Sequence, residues 1–105
     1  MTVYTVGLWR VKAGREDDFV TAWQELAHLT QRDFPGTSAV LLRDRDTPTT
    51  FISSGPWDSL GEIEAWRASE VFQVSVDKMR ELVDSFEMHT LDRAAIAGDE
   101  LGHSI

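Results

Sequence analysis

Cysteine is absent from this 105-residue chain. Its absence excludes a disulfide framework, a thiolate nucleophile and a thiolate metal site. No apolar run is long enough to span a bilayer. The stretch Met1-Thr2-Val3-Tyr4-Thr5-Val6 lacks the basic region and long apolar core of an export signal, so the expected location is cytoplasmic, with no membrane partner. Basic residues are scarce, 10 Lys and Arg against 18 Asp and Glu, for a net charge of -8. The imbalance sits in the second half, where residues 53–105 carry four basic and eleven acidic side chains. Such a chain repels phosphate backbones and has no basic stripe, so nucleic acid is not an expected partner. The acidity reads as a solvated surface. There is no Gly-rich phosphate loop, no G-x-S-x-G elbow and no H-E-x-x-H pair.

Large aromatics are present instead, with four Trp and five Phe. Trp57, Trp66 and Phe72 cluster where a strand hands over to a helix. Residues 3–11 are β-branched and aromatic and read as a strand. Lys12-Ala13-Gly14 makes a turn, and Glu16-Asp17-Asp18 opens a helix with acidic side chains at its positive end. Phe19, Trp23, Leu26 and Thr30 form its buried stripe, and Phe34-Pro35-Gly36 ends it. Thr37 to Arg43 and Thr49 to Trp57 read as two strands of a hairpin. Asp58 or Ser59 caps a short helix carrying Leu60, Ile63 and Trp66. A second helical segment restarts at Ser69-Glu70, with Phe72, Val76, Met79 and Val83 on one face. Ser85 to Ala95 reads as a fourth strand.

The order β-α-β-β-α-β predicts a ferredoxin-like α+β domain over residues 1–96, followed by a tail over 97–105. In that fold the helices cover one face of a four-stranded antiparallel sheet. Strand 1 carries Val3, Thr5, Gly7, Trp9 and Val11 on one side and Tyr4, Val6 and Leu8 on the other. A sheet with one wet face alternates apolar and polar residues more cleanly. A second copy of the sheet is the economical cover, which predicts a homodimer packed through its sheet faces.

The strand-ending Trp57-x-Ser59, followed by Trp66-x-x-Ser69-x-x-Phe72, resembles the antibiotic biosynthesis monooxygenase family of dimeric α+β barrel proteins. The likeness covers about residues 3 to 93 and includes the turn at residues 12–14 and the Phe34-Pro35-Gly36 element. It implies a homodimer with a pocket between sheet and helices in each subunit. The family includes cofactor-independent, quinone-forming oxygenases of aromatic molecules, haem-degrading enzymes and members of unassigned function. In the quinone-forming branch an Asn four positions before the W-x-S Trp lines the pocket; here it is Ser53. A pocket Tyr of that branch falls near Ile63. The haem-degrading Asn and His positions hold Gly7 and Val76, and its Trp is Trp66. Val76 cannot ligate iron.

Strand alternation places Phe51, Ser53, Gly55 and Trp57 on one face. Small residues at 7, 53 and 55 opposite Trp23, Trp66 and Phe72 predict a cavity for a flat aromatic ligand. Trp57, Trp66, Trp23 and Phe72 are the expected walls, and Ser53 the expected hydrogen-bond donor. His89 is the candidate base, because imidazole titrates near neutrality, and Arg43 and Arg93 are candidates to stabilise an anionic ligand. His28 is expected to be exposed. Glu87 and His89 share a strand face without an obvious third ligand, so no metal is expected. The expected activity is cofactor-independent oxidation of a phenolic or polycyclic aromatic by dioxygen, with no cofactor. A non-catalytic ligand-binding or stress-related module is the alternative, and a haem binder using His89 a third reading.

Overall fold

Side-chain parity along the first strand sets up the two faces of the molecule. The computed structural model describes residues 2–98. Strand β1 (Val3–Val11) is followed by α1 (Glu16–Asp33), β2 (Val40–Arg43), β3 (Thr50–Trp57), α2 (Leu60–Ala68), α3 (Glu70–Arg80) and β4 (Val83–Asp92). The sheet is antiparallel throughout, in the order β2-β3-β1-β4. This is the expected ferredoxin-like α+β arrangement, with its second helix divided in two. Residues 99–105, the greater part of the expected tail, lie outside the described residues.

The registers arrange the helix-facing side chains in rows. Arg43, Phe51, Trp9 and Phe86 form one row; Leu41, Ser53, Gly7 and Met88 the next; Gly55, Thr5 and Thr90 the third. Phe19 from α1 and Met79 from α3 press onto the first row and are fully buried. Trp9 stacks on Phe86 with centroids 5.3 Å apart, and Phe19 meets both Trp9 and Phe51 at 5.3 Å. A second cluster of Val3, Trp57 and Ile63 closes the far end of the sheet. Burying side chains of this size contributes roughly 2–3 kcal/mol each, so the two clusters dominate the packing.

Ser59 rather than Asp58 caps α2, its Oγ accepting the Glu62 N–H at 3.2 Å. Ser69 alone separates α2 from α3. Its hydroxyl donates to the Trp66 carbonyl at 2.6 Å and accepts the Phe72 N–H at 3.2 Å. One side chain therefore ends one helix and begins the next.

Several boundaries differ from the sequence expectation: β3 begins at Thr50 and not Thr49, and β4 ends at Asp92 and not Ala95. Strand β2 begins at Val40, not Thr37, because residues 37–39 leave the sheet and lie over Gly55. A Cβ on Gly55 would collide with the Ser38 carbonyl oxygen. Val83 is the first residue of β4 and not the last of a helical stripe, since α3 stops at Arg80. It pairs with Val11 across a register shift that leaves Asp84 unpaired. Among the described residues no helix is long and apolar enough to cross a membrane.

Candidate functional site: an aromatic chamber between sheet and helices

The two clusters do not fill the space between sheet and helices. A cavity of about 100 Å³ remains over Thr5, Gly7, Ser53 and Met88, with Trp23, Leu26, Ala27 and Thr30 of α1 on one side. Trp57, Trp66 and Phe72 wall another side, and Gln31, residues 37–39 and Arg67 are also part of the lining.

The walls are held by aromatic contacts in series. Phe34 meets Trp57 edge-on at 5.9 Å, Trp57 meets Trp66 at 5.0 Å, and Trp66 meets Phe72 at 4.6 Å. Three indole N–H groups are committed to hydroxyls. Trp9 donates to Ser53 at 3.0 Å, Trp57 to Thr5 at 3.3 Å and Trp66 to Thr30 at 2.9 Å. Trp57 and Trp66 thus act as oriented apolar walls, their donors spent within the protein. Each hydroxyl that accepts an indole keeps its own O–H to donate. Ser53, Thr5 and Thr30 all line the cavity.

The small residues work differently from the simple expectation of empty space. A Cβ on Gly7 would lie 2.6 Å from both Ser53 Oγ and Trp9 Nε1. Gly7 is the gap through which the Trp9 indole reaches Ser53. The space above Gly55 is taken by residues 38 and 39. The cavity is what these two intrusions leave.

Trp57, Trp66, Trp23, Phe72 and Ser53 are brought together in this chamber. His89 and Arg43 are not. On β4, Phe86 and Met88 face the helices, so His89 faces the opposite side of the sheet, paired in register with Val6. There its Nε2 lies 3.5 Å from Glu87 Oε2, with half of the side chain exposed. As a base for a ligand in the chamber, His89 is on the wrong face. Arg43 belongs to the end row, where it donates to the Pro48 carbonyl at 2.7 Å and lies over the Phe51 ring. It braces the β2–β3 loop and does not line the cavity. Arg93 donates to Tyr4 Oη at 3.2 Å, also away from the cavity. His28 is exposed, as expected. Among the described residues no group of three or more acidic or imidazole side chains is placed to hold a metal.

The sequence reading missed Arg67. It sits in α2 next to Trp66 and reaches over the third row, donating from Nη1 to Thr90 Oγ1 at 2.7 Å. Its Nε is buried without an acceptor. Nothing in the local pattern of α2 marks it, since an Arg in the last turn of a helix ordinarily serves the helix end.

A four-stranded antiparallel sheet, helices on one face and an aromatic-walled chamber between them define a small α+β domain with an internal cavity. A family model for antibiotic biosynthesis monooxygenases matches residues 2–78, and the chain belongs to that family. Its fold is similar to that of SnoaB, a cofactor-independent oxygenase from Streptomyces nogalater. Identity is 20%, the TM-score is 0.83, and the match covers 93% of this chain and 98% of that one. A conserved protein from Methanosarcina mazei Go1 matches at 16% identity and a TM-score of 0.77, over 86% and 90% of the two chains. A protein from Shewanella oneidensis matches at 23% identity and a TM-score of 0.75, over 85% and 87%. At these identities the likeness is one of fold. No curated protein matches the chain.

Proposed function

We propose that this protein is a homodimeric, cofactor-independent monooxygenase that oxidises a small phenol within the chamber. The observation that carries the reading is the cavity between Trp57, Trp66, Trp23 and Phe72, with hydroxyl donors on its floor. Family membership supports the class of reaction. Volume narrows the ligand. An engineered apolar cavity of about 150 Å³ admits one benzene ring. At about 100 Å³ this cavity is smaller, so one ring is the upper bound without movement of the walls, and a polycyclic molecule exceeds it.

The reaction balances without an external reductant. A phenol leaves its proton in bulk water before it enters, and the phenolate passes one electron to dioxygen. The phenoxyl radical and superoxide combine at a ring carbon, forming a C–O bond, and the peroxide takes up a proton. The same carbon then loses its hydrogen as a proton while the O–O bond breaks. One oxygen remains as the quinone carbonyl and the other leaves as water. The protein's part is to exclude water, hold the ring against the indoles and donate from Ser53 to the phenolate oxygen.

The outer sheet face supports the dimer. Leu42, Ile52, Leu8 and Glu87 form one row across it, and Val40, Ser54, Val6 and His89 another. Val40 and Leu42 are more than half exposed in the single chain, and Ile52 and Leu91 somewhat less. Strands from a second copy would remove this apolar face from water.

Oxygen uptake with a panel of single-ring phenols under ¹⁸O₂ tests the activity. The expected result is one ¹⁸O per quinone formed. A second reading rests on a specific observation: among the described residues, those lining the chamber include no carboxylate and no imidazole. If the same phenols quench the chamber tryptophans but oxygen uptake stays at the buffer rate, the protein is a binding module.

A further inference from the structure

Among the described residues that line the chamber, Arg67 contributes the one charged side chain. It has no ion-pair partner among the described residues. Nor does it lie over a ring, as Arg43, Arg80 and Arg93 do. Its hydrogen bond to Thr90 uses Nη1. The opposite edge of the planar guanidinium carries Nε–H and one N–H of Nη2, parallel and side by side. On that edge Nε is buried and unpaired. A buried donor left unsatisfied is costly, more so when charged, and calls for a partner.

The partner that fits is a carboxylate. Its two oxygens match the two N–H groups of a guanidinium edge, whereas a single phenolate oxygen matches one. Thr90 fixes the orientation of the guanidinium, and the aromatic walls take a ring attached to the carboxylate. We propose that Arg67 is the specificity-determining residue of the chamber and selects single-ring aromatic carboxylates over their neutral counterparts. This deepens the proposed function by giving the phenol an acidic substituent, and it rests on that reading only for the use of the chamber as a binding site.

Titration of the intact protein with benzoate and with benzamide, its neutral counterpart of nearly the same shape, followed by tryptophan fluorescence and calorimetry, tests this directly. Wild type is expected to bind benzoate at least about tenfold more tightly than benzamide. In Arg67→Gln the ratio falls to about one, with the larger loss in benzoate affinity. Arg67→Lys keeps the charge without the fork and gives an intermediate ratio. Thermal unfolding of Arg67→Gln is expected to match or exceed wild type, because an unpaired buried donor has been removed; loss of fold in that variant leaves the ratios of wild type and Arg67→Lys as the test. No detectable benzoate binding, equal binding of the two probes by wild type, or a full ratio surviving in either variant overturns the proposal. The measurement requires no turnover. Failure of phenol oxidation leaves it intact, and oxygen uptake with phenols but no preference for benzoate sinks it alone.

Discussion

Each chamber tryptophan that is anchored gives up its N–H to a hydroxyl distant in sequence, and these bonds make single substitutions informative. In Trp66→Phe the ring contact with Phe72 survives but the bond to Thr30 is lost. Thr30 is 7% exposed, so its hydroxyl is left in an apolar setting, at an expected cost of about 1–3 kcal/mol by urea unfolding. Gly7→Ala places a methyl group where the Trp9 indole crosses to Ser53. It is expected to destabilise the protein by about 1–3 kcal/mol and to reduce ligand binding in the same variant, the second effect measured by fluorescence titration. Ser53→Ala keeps the shape of the floor and removes the donor. If Ser53 holds the phenolate, kcat falls about tenfold or more, with benzamide affinity unchanged. At this scale the sequence was legible for Trp57, Trp66 and Ser53, because a strand shows alternate residues to one face and a helix repeats every third or fourth. His89 was misplaced although a signal existed: Phe86 and Met88 alternate with Glu87 and His89, and two large apolar neighbours mark the buried parity.

Among the elements, the junction of α2 and α3 matters most to the site. Ser69 ties the carbonyl of Trp66 to the amide of Phe72, so the two residues that meet edge-on at 4.6 Å are held by one hydroxyl. Ser69→Ala is expected to cost about 1 kcal/mol as a lost helix cap. It should also loosen the Trp66–Phe72 contact, seen as a shift in tryptophan emission, whereas Ser59→Ala caps α2 further from the chamber and should leave emission unchanged. The Trp57-x-Ser59 and Trp66-x-x-Ser69 pattern could be read from sequence because a cap lies immediately before the turn it serves. The departure of residues 37–39 from the sheet could not. Thr37 to Arg43 is a good strand by local propensity, and the early residues are diverted by packing against Gly55, a contact between segments joined only by the fold.

For the whole molecule, the question is what covers the outer sheet face. Ile52→Glu places a charge in the apolar row of Leu42 and Leu8. If two copies pack through this face, the variant is monomeric by light scattering at micromolar concentration while wild type is a dimer, and chamber binding measured on the monomer tells whether the second copy contributes to the site. By itself the sequence determined the element order, the ferredoxin-like α+β class, the parity of β1 and β3 and the set of aromatics that wall the chamber. All of these follow from short-range periodicity and from turn and cap chemistry between near neighbours. Only the tertiary structure decided that Trp9 would cross Gly7 to reach Ser53 and that Arg67 would join the chamber lining with its Nε buried and unpaired. Those outcomes depend on the register of β1 with β3 and on the seat of α2 over the sheet. The bonds concerned join residues 44 and 23 positions apart, a separation at which no local pattern specifies which side chains meet.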